Sequence, residues 1–141
     1  MIDETTILIR SDELIEVETV TEEELLRQLI EFTPQFEQHW GSDHNLFRED
    51  DGSFTLQGVC AEFSHFFRET YLSWSESTLV ELFDFVESNV AGDGTAETLL
   101  DNALCTCFLE NIACLPAGAA VRRFMGRDSR WFFDQWHERS D

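Results

Sequence analysis

Apolar residues recur at helical spacing over most of the chain after residue 20. Leu25, Leu29 and Phe32 stand three or four positions apart behind Thr21-Glu22-Glu23-Glu24. That tetrad has the form of a capping box, with Thr21 as N-cap and Glu24 reaching back, and its acids suit the positive end of a helix dipole. Pro34 ends or kinks this first helix, and Phe36 and Trp40 carry the apolar face through another turn to Gly41. Polar residues over 42–53, including Glu49-Asp50-Asp51-Gly52, predict an exposed acidic loop. At about 100° per residue, a second helix over 55–72 buries Val59, Phe63, Phe66, Phe67 and Thr70 and turns Glu62, His65, Arg68 and Glu69 outward.

A third helix is predicted over 77–90, with Leu79, Leu82, Phe83, Val86 and Val90 inward, Glu81, Asp84 and Ser88 outward, and Gly92 as its stop. The fourth, over 96–115, is apolar nearly all round. Leu100, Leu104, Cys107, Phe108, Ile112 and Cys114 cover one side, Cys105, Leu109 and Ala113 the other, and Asn102, Thr106 and Glu110 leave a narrow polar strip. Such a helix belongs at the centre of a bundle. Asn111 falls on its apolar side, where a buried amide must find a partner, such as a neighbouring helix end. Pro116 stops this helix, a short one over 117–125 ends at Gly126, and Asp128 or Ser129 caps a last one through Trp136. Before residue 21, runs of Ile, Val and Thr flank Ser11 and Asp12, a pattern that fits a short hairpin and an extended arm equally. The expected fold is a single all-α bundle of five to six helices over 21–141, behind an N-terminal arm over 1–20.

Charge changes the picture from fold to function. The 141 residues carry 29 acids against 9 arginines and no lysine, a formal net charge of −20. Residues 1–110 hold 25 of the acids and 4 arginines, whereas 111–141 are slightly basic and rich in Trp and Phe. A field of this sign disfavours direct contact with nucleic acid or an anionic membrane. The 43% hydrophobic content excludes an acidic disordered tail. No apolar run reaches the length of a membrane span and the start is acidic rather than basic, so a cytoplasmic protein is expected. Its magnitude also exceeds the charge of about 2–8 that keeps a small domain soluble, which favours a basic partner.

Catalytic, cofactor and metal chemistry find little footing. His39, Asp43 and His44 lie in a polar stretch without the i, i+4 pairing of a helical zinc site. Setting Gly52 at the sixth position of a calcium loop puts Phe47 at the first, which cannot be a ligand. His65 between Glu62 and Glu69 reads as an exposed helical ion pair, and His137, beside Glu138, as a solvated side chain. The four cysteines read as reduced, buried thiols, and Cys-x-Cys on a helix points its sulfurs apart. No phosphate loop, nucleophile elbow or H-E-x-x-H pattern occurs. No enzyme and no cofactor are therefore expected.

The segment LVELFDFVESNVAGDGTAETLLDNALCTCFLENI (79–112), with FMGRDSRWFFDQW (124–136), resembles a family of small bacterial helical proteins associated with polymorphic-toxin immunity. The resemblance spans roughly residues 21–138 and is carried by Asp101-Asn102-Ala103, Phe108-Leu109-Glu110 and Met125-Gly126 ahead of the Trp-rich end. It implies an immunity protein that occludes a cognate secreted toxin domain, with no catalytic residues of its own. The acidic surface implies a basic toxin, such as a nuclease or another enzyme acting on nucleic acid. Expected contacts are Asp43, Glu49, Asp50 and Asp51 of the loop, Glu81, Asp84 and Glu87 of the third helix, and Trp74 and Phe85 as aromatic anchors. The alternatives are an acidic nucleic-acid mimic that inhibits a DNA-binding protein, whose carboxylates would line one elongated face, and a small ligand-binding bundle with a polar pocket around Asn102, Glu110 and Asn111.

Overall fold

A computed structural model describes residues 20–43, 45, 47–90 and 98–139. The expectations for the arm before Val20, for His44, for Gly92 and Ala96 and for the His137 side chain lie outside the described residues. Among the described residues there are seven α-helices and no strand, an all-α architecture.

Local sequence sets where most helices begin. Helix α1 (Glu22–Phe32) opens on both halves of the capping box: Glu24 N donates to Thr21 Oγ1 at 3.1 Å and Thr21 N to Glu24 Oε1 at 3.0 Å. Thr33 is extended ahead of Pro34, so the apolar run breaks there and Phe36–Trp40 forms a separate short helix, α2. Helices α3 (Leu56–Thr70), α4 (Glu76–Asn89) and α5 (Leu99–Ala113) start behind Thr55, Ser75 and Thr98, whose hydroxyls accept from Gly58 N, Thr78 N and Asp101 N. Helix α6 (Pro116–Val121) begins on the proline that ends α5, and after a 3-10 turn over Arg122–Phe124 comes α7 (Arg127–Arg139). Splitting the first run at Thr33 raises the helix number above the expected five or six.

Helices α3 and α5 form the central pair. Phe63 and Phe67 of α3 each meet Phe108 of α5 with ring centroids 5.6 Å apart. Phe83 of α4 closes on Phe67 and Phe108 at 6.1 and 6.0 Å, and Phe36 of α2 stands edge-on to Phe63 at 5.0 Å. Phe133 of α7 is fully buried at the far side. The inward stripe read for α4 is buried as expected, Leu79, Leu82, Phe83 and Val86 together.

Helix α5 departs from the regular phase. Its segment Leu104–Leu109 is a π-helical turn, closed by Glu110 N donating to Cys105 O. One extra residue in that turn rotates everything beyond it. Cys114 and Asn111, which regular spacing places on the apolar side, are therefore exposed. Asn111 Nδ2 donates to Cys107 O at 2.7 Å and to Ser64 Oγ of α3 at 3.3 Å, so its partners are the widened turn itself and a helix midpoint rather than a helix end. Glu62 is a second correction. It is buried, because α2 covers the side of α3 that helical phase alone assigns to solvent.

Candidate partner-binding surface

The structure places the expected contacts in three environments. Asp43, Glu49, Asp50, Glu81 and Asp84 are exposed, and none of them forms an ion pair among the described residues. Asp51 is exposed as well, but its Oδ1 accepts from Ser53 N at 2.9 Å and Ser53 Oγ at 2.7 Å. Those two bonds hold its carboxyl below the usual aspartate value. With Glu49 N donating to Ser53 O at 2.8 Å and Gly52 N to Glu49 O at 2.9 Å, the acidic loop is a built turn. Asn45 anchors it, donating through Nδ2 to Trp40 O at 2.8 Å and accepting from Phe47 N at 2.9 Å. The loop is thus tied to α2 and α3, whereas α4, which carries Glu81 and Asp84, packs on α1, α7 and the 3-10 turn and reaches α3 and α5 through Phe83.

Trp74 and Phe85 are half-buried. Trp74 wedges against Phe67 at 5.0 Å, nearly perpendicular, and donates through Nε1 to Thr70 Oγ1 at 3.0 Å. Phe85 meets Phe32 of α1 edge-on at 5.6 Å. Neither is the most exposed apolar residue near the acids. Leu72, 86% exposed, and Val80, 41% exposed and next to Glu81 in sequence, are both more exposed. Helical phase does put Val80 outward beside Glu81, which is the signal that could have found it.

Glu87 belongs to the fold. Its Oε1 accepts from Ser129 N at 2.9 Å and Ser129 Oγ at 2.8 Å, and its Oε2 from Asp128 N at 3.0 Å. It therefore caps α7 from another helix, the role that the sequence suggested for Asp128 or Ser129. Gly126 leaves the necessary room, since a Cβ there would lie 2.4 Å from Glu87 Cδ.

Glu62 joins His65, as its i, i+3 spacing suggested, and also His39, which sequence spacing does not show. Buried Glu62, 5% exposed, pairs through Oε2 with His39 Nε2 of α2 at 2.5 Å and through Oε1 with His65 Nδ1 at 3.6 Å. Phe36 and Phe66 pack on the His39 ring. This pairing fastens α2 to α3 by a charge-assisted bond in a mostly apolar setting. Glu62→Ala should lower stability by about 2 kcal/mol by leaving His39 without its partner, whereas Glu69→Ala on the exposed side should change it by less than about 0.5 kcal/mol. Thermal melts of both variants check this, and equal melting temperatures would refute it.

An uncharged cavity of about 310 Å³ opens where the α1–α2 turn meets the α3–α4 corner. Phe32, Phe66 and Trp74 give it aromatic walls, and Thr33, Gln35 and Thr78 are among its polar lining. A second hollow of about 650 Å³, between α1 and Phe85, is lined by the charged Glu24, Arg27 and Glu31 beside Val20 and Leu25. Neither contains Asn102, Glu110 or Asn111, the residues around which a polar pocket was expected.

Burial pushes the Cys105 thiol up to about 12, with the Asp101 carboxylate adding to the effect, and burial raises Cys60 further. Both stay protonated at neutral pH. Among the described residues, no group of three or more His, Cys, Asp or Glu side chains could hold a metal ion. No single helix among them is long and apolar enough to cross a membrane. In comparison with known proteins, no family model matches this chain, and no curated protein and no solved structure matches it.

Proposed function

We propose that this protein is an immunity protein, a binder that neutralises a basic toxin domain of a secreted bacterial effector by covering its substrate groove. The observation that carries the reading is the set of exposed carboxylates without ion-pair partners, Asp43, Glu49, Asp50, Glu81 and Asp84, on a chain of net charge −20. Unpaired surface charge destabilises a fold by self-repulsion, and a cationic partner turns the same field into steered association. The protein acts by occupancy in this reading, from the cytoplasm of the producing cell, with no cofactor. The nucleic-acid mimic is the second reading, and it requires the exposed carboxylates of α1, α2, the loop, α3 and α4 to fall in one row.

The test replaces Glu49, Asp50, Glu81 and Asp84 with lysine. Asp51 and Glu87 are left alone because their carboxylates hold the loop and α7. Against the basic toxin domain encoded beside this protein's own gene, the variant should associate at least about ten-fold more slowly at low salt while melting as the parent does. An unchanged association rate would remove the acidic-surface mechanism.

A further inference from the structure

We infer that the uncharged cavity beside Trp74 is the anchor site of the partner interface, and that it takes one aromatic side chain from a cationic segment of the partner. This rests on the partner-binding reading above and gives it a location. The cavity's 310 Å³ stands at the bottom of the range of about 300–1,000 Å³ for small-molecule pockets, the scale of one large side chain. Its walls suit an aromatic occupant. Phe32 and Phe66 offer ring contacts, and Trp74 is held in place by Phe67 and by its bond to Thr70 Oγ1.

The polar lining suits an occupant with a donor at its edge. Thr33 Oγ1 donates to Gln35 Oε1 at 3.3 Å and Ser73 Oγ to Thr70 O at 2.8 Å, so both hydroxyl oxygens keep lone pairs free to accept. An indole N–H or a phenol O–H can use them. The Gln35 amide nitrogen makes no hydrogen bond among the described residues and is free to donate to a partner's backbone carbonyl.

The surroundings define the rest of the segment. Glu31, Glu37, Glu69, Glu76 and Glu81 are all exposed, and each lies within three residues along the chain of a residue lining the cavity. Arg68 is the one cation that near in sequence, and Arg123 reaches Glu76 at 3.7 Å. Two of the four exposed large apolar side chains among the described residues, Leu72 and Val80, lie within two residues of Ser73 and Thr78. An uncharged pocket with aromatic walls and a polar edge, on segments that carry exposed apolar residues and an excess of glutamates, is complementary to an aromatic residue flanked by lysine or arginine. Binding hot spots have this form, a buried anchor surrounded by a polar rim.

The experiment titrates the full chain with three blocked peptides, Lys-Lys-Trp-Lys-Lys, Lys-Lys-Ala-Lys-Lys and Glu-Glu-Trp-Glu-Glu, and follows amide and indole resonances by NMR. The tryptophan peptide with lysines should shift the Trp74 indole N–H and the amides of Thr33, Gln35 and Thr78. The alanine peptide should bind at least about ten-fold more weakly, a difference of about 1.4 kcal/mol, and the glutamate peptide should not bind. Ser73→Trp, at an exposed position on the cavity's edge, should abolish the pocket shifts without altering the melt. If that variant misfolds, the contrast between peptides decides alone. Equal binding of both lysine peptides, with shifts confined to the Glu49–Asp51 loop, would overturn the pocket while sparing the acidic-surface reading. Absence of binding by every cationic peptide would overturn both.

Discussion

Gly118→Ala is expected to destabilise the protein by about 3 kcal/mol or more, lowering the melting temperature by roughly 10 °C or beyond. Helix α5 and the stretch Pro116–Phe124 meet at 109°, and the corner is closed by backbone lying against backbone. A methyl group at Gly118 would fall 2.0 Å from Ile112 O, 2.9 Å from Ile112 C and 3.0 Å from Phe133 Cε1. The first two atoms are main chain within a helix and cannot turn aside as a side-chain tip can. Relief requires α6 to lift off α5, which also unseats fully buried Phe133 of α7. Gly41→Ala is the control, since its nearest neighbour would be Glu37 O at an ordinary 3.5 Å. Denaturant unfolding of the two variants should show a large loss for the first and little change for the second. Equal stability would mean that the α5–α6 corner is looser than described.

The second large effect is at Glu87. Glu87→Ala should cost about 2 kcal/mol at neutral pH, because it strips the start of α7 of three accepted hydrogen bonds. Partial burial by itself would raise the Glu87 carboxyl, but the bonds from Asp128 N, Ser129 N and Ser129 Oγ and the charge of Arg127 outweigh it, and the group titrates below its ordinary value. A carboxyl depressed in the folded state binds its proton more readily when unfolded. Its stabilisation is therefore full above the ordinary glutamate value of 4.5 and is lost as pH falls through the lower folded value. The gap in stability between parent and variant should be constant near neutrality and shrink below about pH 4. Gly126→Ala should reproduce the loss, since its methyl would occupy the space of the Glu87 side chain. A gap that persists undiminished in acid would show that Glu87 acts through packing alone.

Features encoded over a few neighbouring residues were legible in the sequence. The Thr21–Glu24 capping box and the proline boundary at 116 depend on contacts within about one helical turn, the inward stripe of α4 is written in the period of its own apolar residues, and each forms as read. What was not legible depends on partners far along the chain. Glu87 looks like one more outward acid until Ser129, 42 residues later, is brought to it. Glu62 follows a regular phase that points it to solvent, and only the fold of α2 over α3 buries it against His39. The π-helical turn at Leu104–Leu109 leaves no mark in the apolar pattern, so phase counted from Leu100 misplaces Asn111 and Cys114. The candidate surface was legible in part. Its exposed acids could be read from phase and composition, but the cavity joins residues 32–35 to residues 66–78, a juxtaposition that spacing along the chain does not contain.

The central claim, that the acidic surface exists to receive a basic protein, is tested most directly by titrating the full chain with the product of the adjacent gene, the proposed toxin, and measuring association across salt. The account predicts a one-to-one complex whose association rate falls at least about ten-fold between roughly 0.05 and 0.5 M salt. A complex that forms at the same rate at both salt concentrations, or no complex at all, would contradict it.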